Sequence, residues 1–328
     1  GSFDNVNPFI IRGQVVYGPR NLVFESLLAR SRAEPFTLYG HIAKAIDVNP
    51  DRTEVTFHID PRARFSDGEA IRSDDIVYSL QTLREHGRPN HRTFYSKVKS
   101  ISTPDDLTVN MILEPGDREL VLILGLMPVI PKHFFETRDF EKTTLDKLVG
   151  SGPYVFDKID AGDHIIYRRN PDYWARDLPS ARGHYNYDTI RYDYYRDAQG
   201  TFEAFKKGEA MLRTETDASR WAVGYSDVKD QPVTLETIQV GLPKQAWSLV
   251  FNTRRPIFSD KRVREALIHT FDFKWINKNL FHSKMERTQG FFFGSKLSAI
   301  GRSATENERK MLVRSGADIR ADIMDGTY

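Results

Sequence analysis

The chain has 328 residues, of which 40% are hydrophobic and 12% aromatic, enough apolar material for two packed domains. Its 47 basic and 45 acidic residues nearly cancel, so the composition gives no reason to expect nucleic acid or an anionic membrane surface as a partner. There is no cysteine, which excludes disulfides, thiol nucleophiles and cysteine-ligated metals and slightly favours an oxidising compartment such as the periplasm.

The first half of the chain predicts two strands around an amphipathic helix. Residues 55–59 alternate apolar and polar side chains, which is typical of a half-buried strand, and residues 107–113 repeat the pattern. Between them, Ser73 is the expected N-cap of a helix whose apolar positions within residues 76–83 share one face. Residues 120–130 form the longest apolar run, which is too short to cross a membrane and predicts a buried helix and turn.

The stretch "GSGPYVFDKIDAGDHIIYRRNPDYW" raises the question of what Gly150 and Gly152 do. They could cradle a phosphate, or they could let two backbone segments approach closely. A phosphate loop leads into the N-terminus of a helix, whereas these glycines lead into a predicted hairpin of residues 154–159 and 164–169. The sequence therefore favours a structural junction.

The second half predicts further strands and several capped helices. Residues 190–194 and the apolar segment 247–253 read as strands, and Asp197 is the expected cap of a helix that ends before Gly208.

Further helices are expected to begin at Ser259 or Asp260, at Asp272, and at a capping box from Ser303 to Glu306. The irregular mixture of helices and strands predicts the α/β class.

Motifs that carry chemistry are nearly absent. We find no complete P-loop, zinc-protease, nucleophile-elbow or dinucleotide-binding motif. His86 and His91 do not share a helical face, so a metal site is not expected there. A pair of carboxylates can still meet in space alone, which leaves a hydrolase open. Several aromatic residues lie beside turns, and a minority of them could line a ligand cleft: Tyr17, Trp174, Tyr185, Tyr187, Trp221, Tyr225 and Trp247.

Three segments resemble the signature segments of the family 5 extracellular solute-binding proteins, the periplasmic receptors for dipeptides, oligopeptides and nickel complexes. They are "FHIDPRARFSDGEAIRSDDIVYSL", "GSGPYVFDK" with "RRNPDYW", and "LVFNTRRPIFSDKRVREAL". Two more, "GSFDNVNPF" and "ERTQGFFFGSKL", resemble the Yej-type branch, which is associated with uptake of peptides and of the peptide-nucleotide antibiotic microcin C. The resemblance runs from Gly1 to about Leu297.

The resemblance implies a periplasmic binding protein type II-like fold with two lobes and a domain inserted in lobe I. Residues 1–30 and 151–252 would form lobe I, residues 31–150 the inserted domain, and residues 253–328 the start of lobe II. Family members continue well beyond this length, so we expect lobe II to be truncated here.

The function implied is that of the substrate-binding component of an ABC importer, which is not an enzyme. It would bind peptides or peptide-like compounds such as microcin C in the periplasm, with the permease subunits as partners, no nucleic acid, no cofactor or metal, and a monomeric full-length form. Two alternatives stay open at this point, a fragment without independent binding and a peptide or glycan hydrolase.

By motif position, the resemblance implies ligand contacts at Arg12, Gly13, Gln14, Trp247 and Ser248. Arg12 could meet a carboxylate or phosphate, Gln14 could bond a peptide backbone, and Trp247 could stack on a ligand side chain. The alternatives are a surface salt bridge for Arg12 and a core position for Trp247.

Helices after about Leu280 would normally pack on parts of lobe II that come later. We therefore expect residues 291–293 and Met311 to be more exposed than Val155 or Val250.

Overall fold

The computed structural model describes residues 2–31, 34, 37–226, 233–239, 241–316 and 319–327. The chain divides into two compact units, Gly1–Ala204 and Phe205–Tyr328, and the division falls within the helix Ala198–Lys206.

The first unit is built on three antiparallel sheets. Their strands are β1 Leu28–Arg30 with β2 Leu38–Gly40; β3 Ala43–Val48, β4 Glu54–Ile59, β5 Val98–Asp105 and β6 Thr108–Leu113 in the order β3-β4-β6-β5; and β7 Tyr154–Asp160, β8 His164–Arg169 and β9 Thr189–Asp193 in that order. The helices are α1 Pro19–Leu22, α2 Ser73–His86, α3 Pro89–Tyr95, α4 Leu120–Gly125, α5 Lys132–Phe135 and α6 Ala198–Lys206.

One apolar core runs through this unit, and the alternation in the sequence locates much of it. Val55, Phe57 and Ile59 of β4 are fully buried, and β6 repeats the pattern. The face of α2 that carries Ile76 and Leu80 packs into the same core. Burial of each such side chain contributes about 1.5–3 kcal/mol. The strands, the hairpin and the helical face that the sequence predicts in this unit are confirmed.

The start of α2 differs from the expectation. Ser73 is the first helical residue and not the cap, because the Asp75 carboxylate accepts a hydrogen bond from the Arg72 N–H at 2.9 Å. The other Asp75 oxygen accepts from the Lys132 N–H at 3.0 Å, so the same side chain ties α2 to α5. Burial raises the pKa of Asp75.

Gly150 and Gly152 lie where the chain returns to the beginning of the unit. A Cβ on Gly150 would stand 2.2 Å from the Val23 carbonyl oxygen, and one on Gly152 would stand 2.4 Å from the Leu22 oxygen. The Gly152 N–H donates to the Val23 carbonyl at 2.8 Å. The glycines therefore serve close backbone approach, and the chain enters β7 after them, so the structural interpretation is confirmed.

The aromatic pair after the hairpin packs around a buried carboxylate. Glu25 accepts hydrogen bonds from the Tyr173 hydroxyl and, at 3.1 Å, from the Trp174 indole N–H, and its other close partner is His41 at 2.8 Å. Burial, together with the Glu25 charge, raises the pKa of Tyr173, which stays a hydrogen-bond donor. A carboxylate with three partners in the interior holds residues 170–181 against the start of the chain.

The second unit is helical, and no strand occurs among the residues described in it. Its elements are a π-helical turn Arg220–Gly224, then α7 Pro256–Ser259, α8 Lys261–His269, α9 Phe273–Leu280, α10 Glu306–Arg314 and α11 Ala321–Asp325.

The caps of the second unit follow the sequence in two cases out of three. Asp260 accepts from the Arg262 N–H and Asp272 from the Trp275 N–H, as expected. The predicted box at Ser303 is wrong, because the reciprocal bonds join Thr305 and Glu308 and α10 begins two residues later.

Exposure in the second unit agrees only in part with the expectation. Phe291 is 96% exposed and Met311 also faces solvent, as predicted, whereas Val155 is half-buried. The contrast with Val250 is wrong, since Val250 is itself 88% exposed. In the described part of the chain, no helix has the length and apolar character needed to cross a bilayer.

We expect Gly152→Ala to lower the free energy of unfolding by at least about 2 kcal/mol, because the added methyl meets main-chain atoms that cannot swing aside. Urea denaturation followed by circular dichroism measures it. Gly200→Ala in α6 is the matched control. Its Cβ meets nothing closer than 3.5 Å, so it should be neutral or stabilising by up to about 1 kcal/mol. Equal effects of the two substitutions would contradict the close-approach interpretation.

His91 on α3 is a buried histidine whose two ring nitrogens lack a hydrogen-bond partner among the described residues. Its ring stacks on Tyr95 at 5.4 Å between centroids. Burial, and then the charges of Arg20 and Arg88, lower the pKa of His91 to about 4. The folded state therefore holds His91 neutral at pH values where the unfolded chain protonates it.

Since the unfolded state binds the extra proton between about pH 6.5 and pH 4, the stabilisation from neutral His91 is present at pH 7 and is lost as the pH falls through that window. We expect this one group to account for about 2–3 kcal/mol of the loss of stability between pH 7 and pH 4. Unfolding curves of His91→Phe should lack that component, whereas His86→Gln, an exposed control, should retain it. An unchanged pH profile in His91→Phe would refute the assignment.

Candidate functional site

The loop of residues 11–14 lies at the surface of the first unit on a rigid base. The Asp4 N–H donates to the Gln14 carbonyl at 3.1 Å, and the Asp4 carboxylate accepts from the Gln14 N–H at 2.6 Å. Just beyond, the Val16 N–H donates to the Asn5 carbonyl at 2.9 Å, and residues 5 and 15 form an isolated parallel bridge. The loop is therefore closed at its base by main-chain hydrogen bonds.

Two buried asparagines hold this base from below. The Asn5 amide donates to the Arg12 carbonyl at 3.0 Å and to the Asn7 carbonyl at 3.2 Å, while its oxygen accepts from the Asn7 N–H at 2.9 Å. Asn7 donates in turn to the Phe140 carbonyl at 3.1 Å. These contacts satisfy the polar groups of a turn that has no regular secondary structure, which is what a buried asparagine requires.

Gly13 has a conformational role in this loop. Its φ of +74° lies in the left-handed region, and a Cβ there would stand 2.4 Å from Asp4 Oδ1 and 2.8 Å from Thr143 Cγ2. Any other residue would break the contact between Asp4 and Gln14. Gly13 can therefore meet a ligand only through its main chain.

Arg12 and Gln14 present their side chains to solvent. Arg12 forms no ion pair with any residue in the described ranges. The alternative role for Arg12, a surface salt bridge, is therefore not seen in this part of the structure. An exposed guanidinium on a fixed main chain can bind a carboxylate or phosphate in a two-pronged geometry.

Trp247 and Ser248 lie in the second unit, and the strand predicted for residues 247–253 does not form there. Trp247 is 89% exposed, so it is not a core indole, and Ser248 is exposed as well. Within the described ranges, no backbone hydrogen bond joins residues 245–251 to another segment. A strand needs a partner ladder to satisfy its N–H and C=O groups, and none is described beside this segment.

Glu215 is an ionised group of the second unit that sequence reasoning missed. Its carboxylate accepts from the Tyr225 hydroxyl at 3.0 Å and from the Asp217 N–H at 2.9 Å, with Arg213 at 3.1 Å and Arg220 at 3.4 Å. Burial opposes ionisation of Glu215, but these hydrogen bonds outweigh it and lower the pKa. Since its oxygens are occupied, Glu215 organises the surrounding loop.

One group of possible metal ligands occurs in the described residues, at the turn between β7 and β8. Ligand atoms of Asp160, Asp163 and His164 lie within 4.8 Å of one another. Asp163 bonds the His164 ring at 2.7 Å, and Lys158 lies 3.7 Å from Asp160. The charges are thus already paired within the hairpin, and we assign the group a structural role.

Sequence reasoning missed Asn5 and Asn7, although both stand inside the segment "FDNVNPF" that carried the resemblance. The available signal was two asparagines that stand between apolar residues, and both asparagines are buried in the structure. Besides local partners at residues 7, 9 and 12, they bond residues 140 and 144, and spacing along the chain could not reveal those two distant contacts.

The chain matches a known class of proteins, the solute-binding proteins. A family model described as bacterial extracellular solute-binding proteins, family 5, middle, matches residues 37–312. The chain belongs to this family. Peptidoglycan-binding protein YepA of Agrobacterium fabrum (strain C58) is 37% identical over 346 residues, which cover 100% of the chain and 56% of YepA. The chain spans about half the length of the curated relatives it matches.

Solved structures show the same fold. NikA of Brucella suis, in complex with Fe(III)-EDTA, gives a TM-score of 0.71 at 18% identity over 97% of the chain and 63% of NikA. The ABC transporter-associated periplasmic binding protein DppA of Helicobacter pylori, in complex with the peptide STSA, gives 0.66 at 17% identity over 97% of the chain and 64% of DppA. The predicted family and fold class are confirmed.

We expect Asn5→Ala to lower the free energy of unfolding by about 3 kcal/mol, because buried carbonyl and N–H groups at residues 7 and 12 lose their partners. Hydrogen exchange at Gln14 and Val16 should accelerate together. Asn186→Ala is the control, since Asn186 is exposed and donates only to Gly183, and it should cost under about 0.5 kcal/mol. Unchanged protection of the loop in Asn5→Ala would show that Asp4 alone holds it.

Proposed function

We propose that the protein to which this chain belongs is the substrate-binding component of an ABC importer and that it binds peptides in the periplasm. The observation that carries the proposal is the match of residues 37–312 to the extracellular solute-binding family. YepA, named for binding peptidoglycan, and DppA, solved with a peptide, favour a peptide-containing ligand. The proposed ligands are oligopeptides and peptide-like compounds such as microcin C.

The rigid loop of the first unit supplies the first proposed contacts. Arg12 would bind a ligand carboxylate or phosphate, and Gln14 would bond the peptide backbone. Support comes from their exposure on a main chain held by Asp4 and Asn5. A loop that is already ordered loses little conformational entropy when the ligand binds, which favours affinity.

The second group of proposed contacts is Trp247 with Ser248, where the indole would stack on a ligand side chain. Support comes from the exposure of this large aromatic residue, since indole is enriched where proteins bind partners.

The proposed organisation places residues 1–30 and 151–252 in lobe I, residues 31–150 in an inserted domain and residues 253–328 at the start of lobe II. Receptors of this kind close on their ligand by hinge motion, without catalysis. The proposed partners are the permease subunits, and the proposed full-length form is a monomer. The full-length protein is therefore the right material for binding experiments.

We expect peptides to raise the melting temperature of the full-length protein, because a ligand that binds only the native state stabilises it. Peptides with a free C-terminal carboxylate should bind about tenfold more tightly than their C-terminal amides, the value of one charge-assisted contact of about 1.4 kcal/mol. Arg12→Ala should remove that preference.

Arg64→Ala, which removes another exposed arginine of the first unit, is the matched control and should retain the preference. Stabilisation by another class of solute and by no peptide pool would overturn the proposed ligand class. Cleavage of a bound peptide, followed by mass spectrometry, would overturn the receptor assignment in favour of a hydrolase. Binding by the full-length protein but not by residues 1–328 would show that the chain does not bind independently.

A further inference from the structure

Tyr17 is a largely exposed aromatic residue whose main chain is fixed on both sides. The exposed fraction of the residue is 68%. Its N–H donates to the Tyr194 hydroxyl at 2.8 Å, and its carbonyl accepts from the Tyr167 hydroxyl at 2.7 Å. The two hydroxyls come from β8 and from the residue after β9, so the sheet itself positions Tyr17.

The ring of Tyr17 is also held in place. It packs edge-on against Tyr192 with 4.9 Å between centroids and an interplanar angle of 66°. The next residue, Gly18, has a φ of +112°, and a Cβ there would stand 3.0 Å from the Tyr167 ring. The chain therefore turns directly behind Tyr17 against a filled core, and the ring cannot move inward.

The hydrogen bonds that anchor residue 17 do not involve its side chain. Both hydrogen bonds that anchor the residue use its main chain, which any residue except proline could supply. The neighbouring rings of Tyr167 and Tyr192 also contact each other directly, at 6.1 Å between centroids. An aromatic ring that is positioned but left in solvent can contact a ligand at little entropic cost.

The same chain segment carries the loop of residues 11–14. Tyr17 follows the residue 5 to residue 15 bridge, and Val16 between them is buried. Arg12, Gln14 and Tyr17 are thus exposed positions of one segment that is hydrogen-bonded to neighbouring segments at residues 12, 14, 16 and 17.

We propose that Tyr17 is a specificity-determining ligand contact that stacks on an apolar or aromatic side chain of the bound peptide. This inference rests on the proposed function and extends it, because it adds a side-chain preference to the carboxylate and backbone contacts of the loop. Offset and edge-to-face aromatic contacts, and contacts between an aromatic ring and an aliphatic side chain, give such a preference without demanding one sequence.

The test compares peptides that differ by one side chain on the full-length protein. Tripeptides of alanine with phenylalanine scanned through the three positions are titrated calorimetrically beside the matching glycine peptides. In the wild type, the phenylalanine peptide at one position should bind about tenfold more tightly than its glycine counterpart. Tyr17→Ala should reduce this ratio below about threefold and leave the affinity for the glycine peptide within about threefold. Tyr17→Phe should keep the wild-type ratio.

Two further measurements separate a ligand contact from a structural role. The melting temperature of unliganded Tyr17→Ala should stay within about 2 °C of the wild type, and a larger fall would overturn the inference that the side chain is not needed for folding. Tyr187→Ala is the matched control, since Tyr187 is 72% exposed in the same unit, and it should keep the wild-type preference.

The possible failures are distinguishable. If peptides bind and the preference for phenylalanine survives in Tyr17→Ala, or no position shows a preference, the inference is wrong while the proposed function stands. If no peptide binds the wild type at all, the proposed function and the inference fail together.

Discussion

The first unit depends on the close contact between residues 22–23 and residues 150–152. Here two main-chain segments lie so close that a methyl group on either glycine would overlap a carbonyl oxygen of residues 22–23. The Gly152 N–H donates a hydrogen bond to the Val23 carbonyl. The Ser66 N–H donates to the Gly150 carbonyl at 2.8 Å, so a third segment joins at the same place. Because the chain leaves this contact directly into β7, the contact places the β7-β8-β9 sheet relative to the N-terminal segment, and β8 and β9 in turn supply the tyrosine hydroxyls that anchor Tyr17.

Polar groups that are buried within the apolar core join the loop of residues 11–14 to the rest of the first unit. Asn5 and Asn7 connect the loop at Arg12 to the chain near Phe140, and Glu25 connects the N-terminal segment to Tyr173 and Trp174. A buried polar group is costly unless it is paired, and when paired it admits few alternative geometries. The exposed loop of residues 11–14 is held in place by these pairings, which apolar contacts alone would not supply.

Local patterns predicted the elements whose stability is local. Alternation located β4, β6 and the hairpin, and Asp260 and Asp272 were recognised as caps because capping joins residues two or three positions apart. The predicted start of α2 was wrong because Asp75, a residue inside the helix, accepts the hydrogen bond from the Arg72 N–H. The strand predicted for residues 247–253 was wrong because a strand depends on a neighbouring strand, which the sequence of the segment itself does not reveal. Of the candidate site, the sequence indicated the loop of residues 11–14 only through resemblance, and the roles of its residues stay predictions.

The two units are stabilised by different interactions, and the difference bears on binding. The first has a continuous apolar core, whereas the second surrounds the ionised Glu215 and leaves Trp247, Val250 and Phe291 in solvent. Soluble monomers rarely leave so much large apolar surface uncovered, since covering each such side chain is worth about 1.5–3 kcal/mol. Proteins of the relatives' length have nearly twice as many residues with which to cover these side chains. The loop that carries Arg12 and Tyr17 is, by contrast, positioned by contacts within the first unit, so the ligand contacts proposed for Arg12 and Tyr17 depend on residues of this chain.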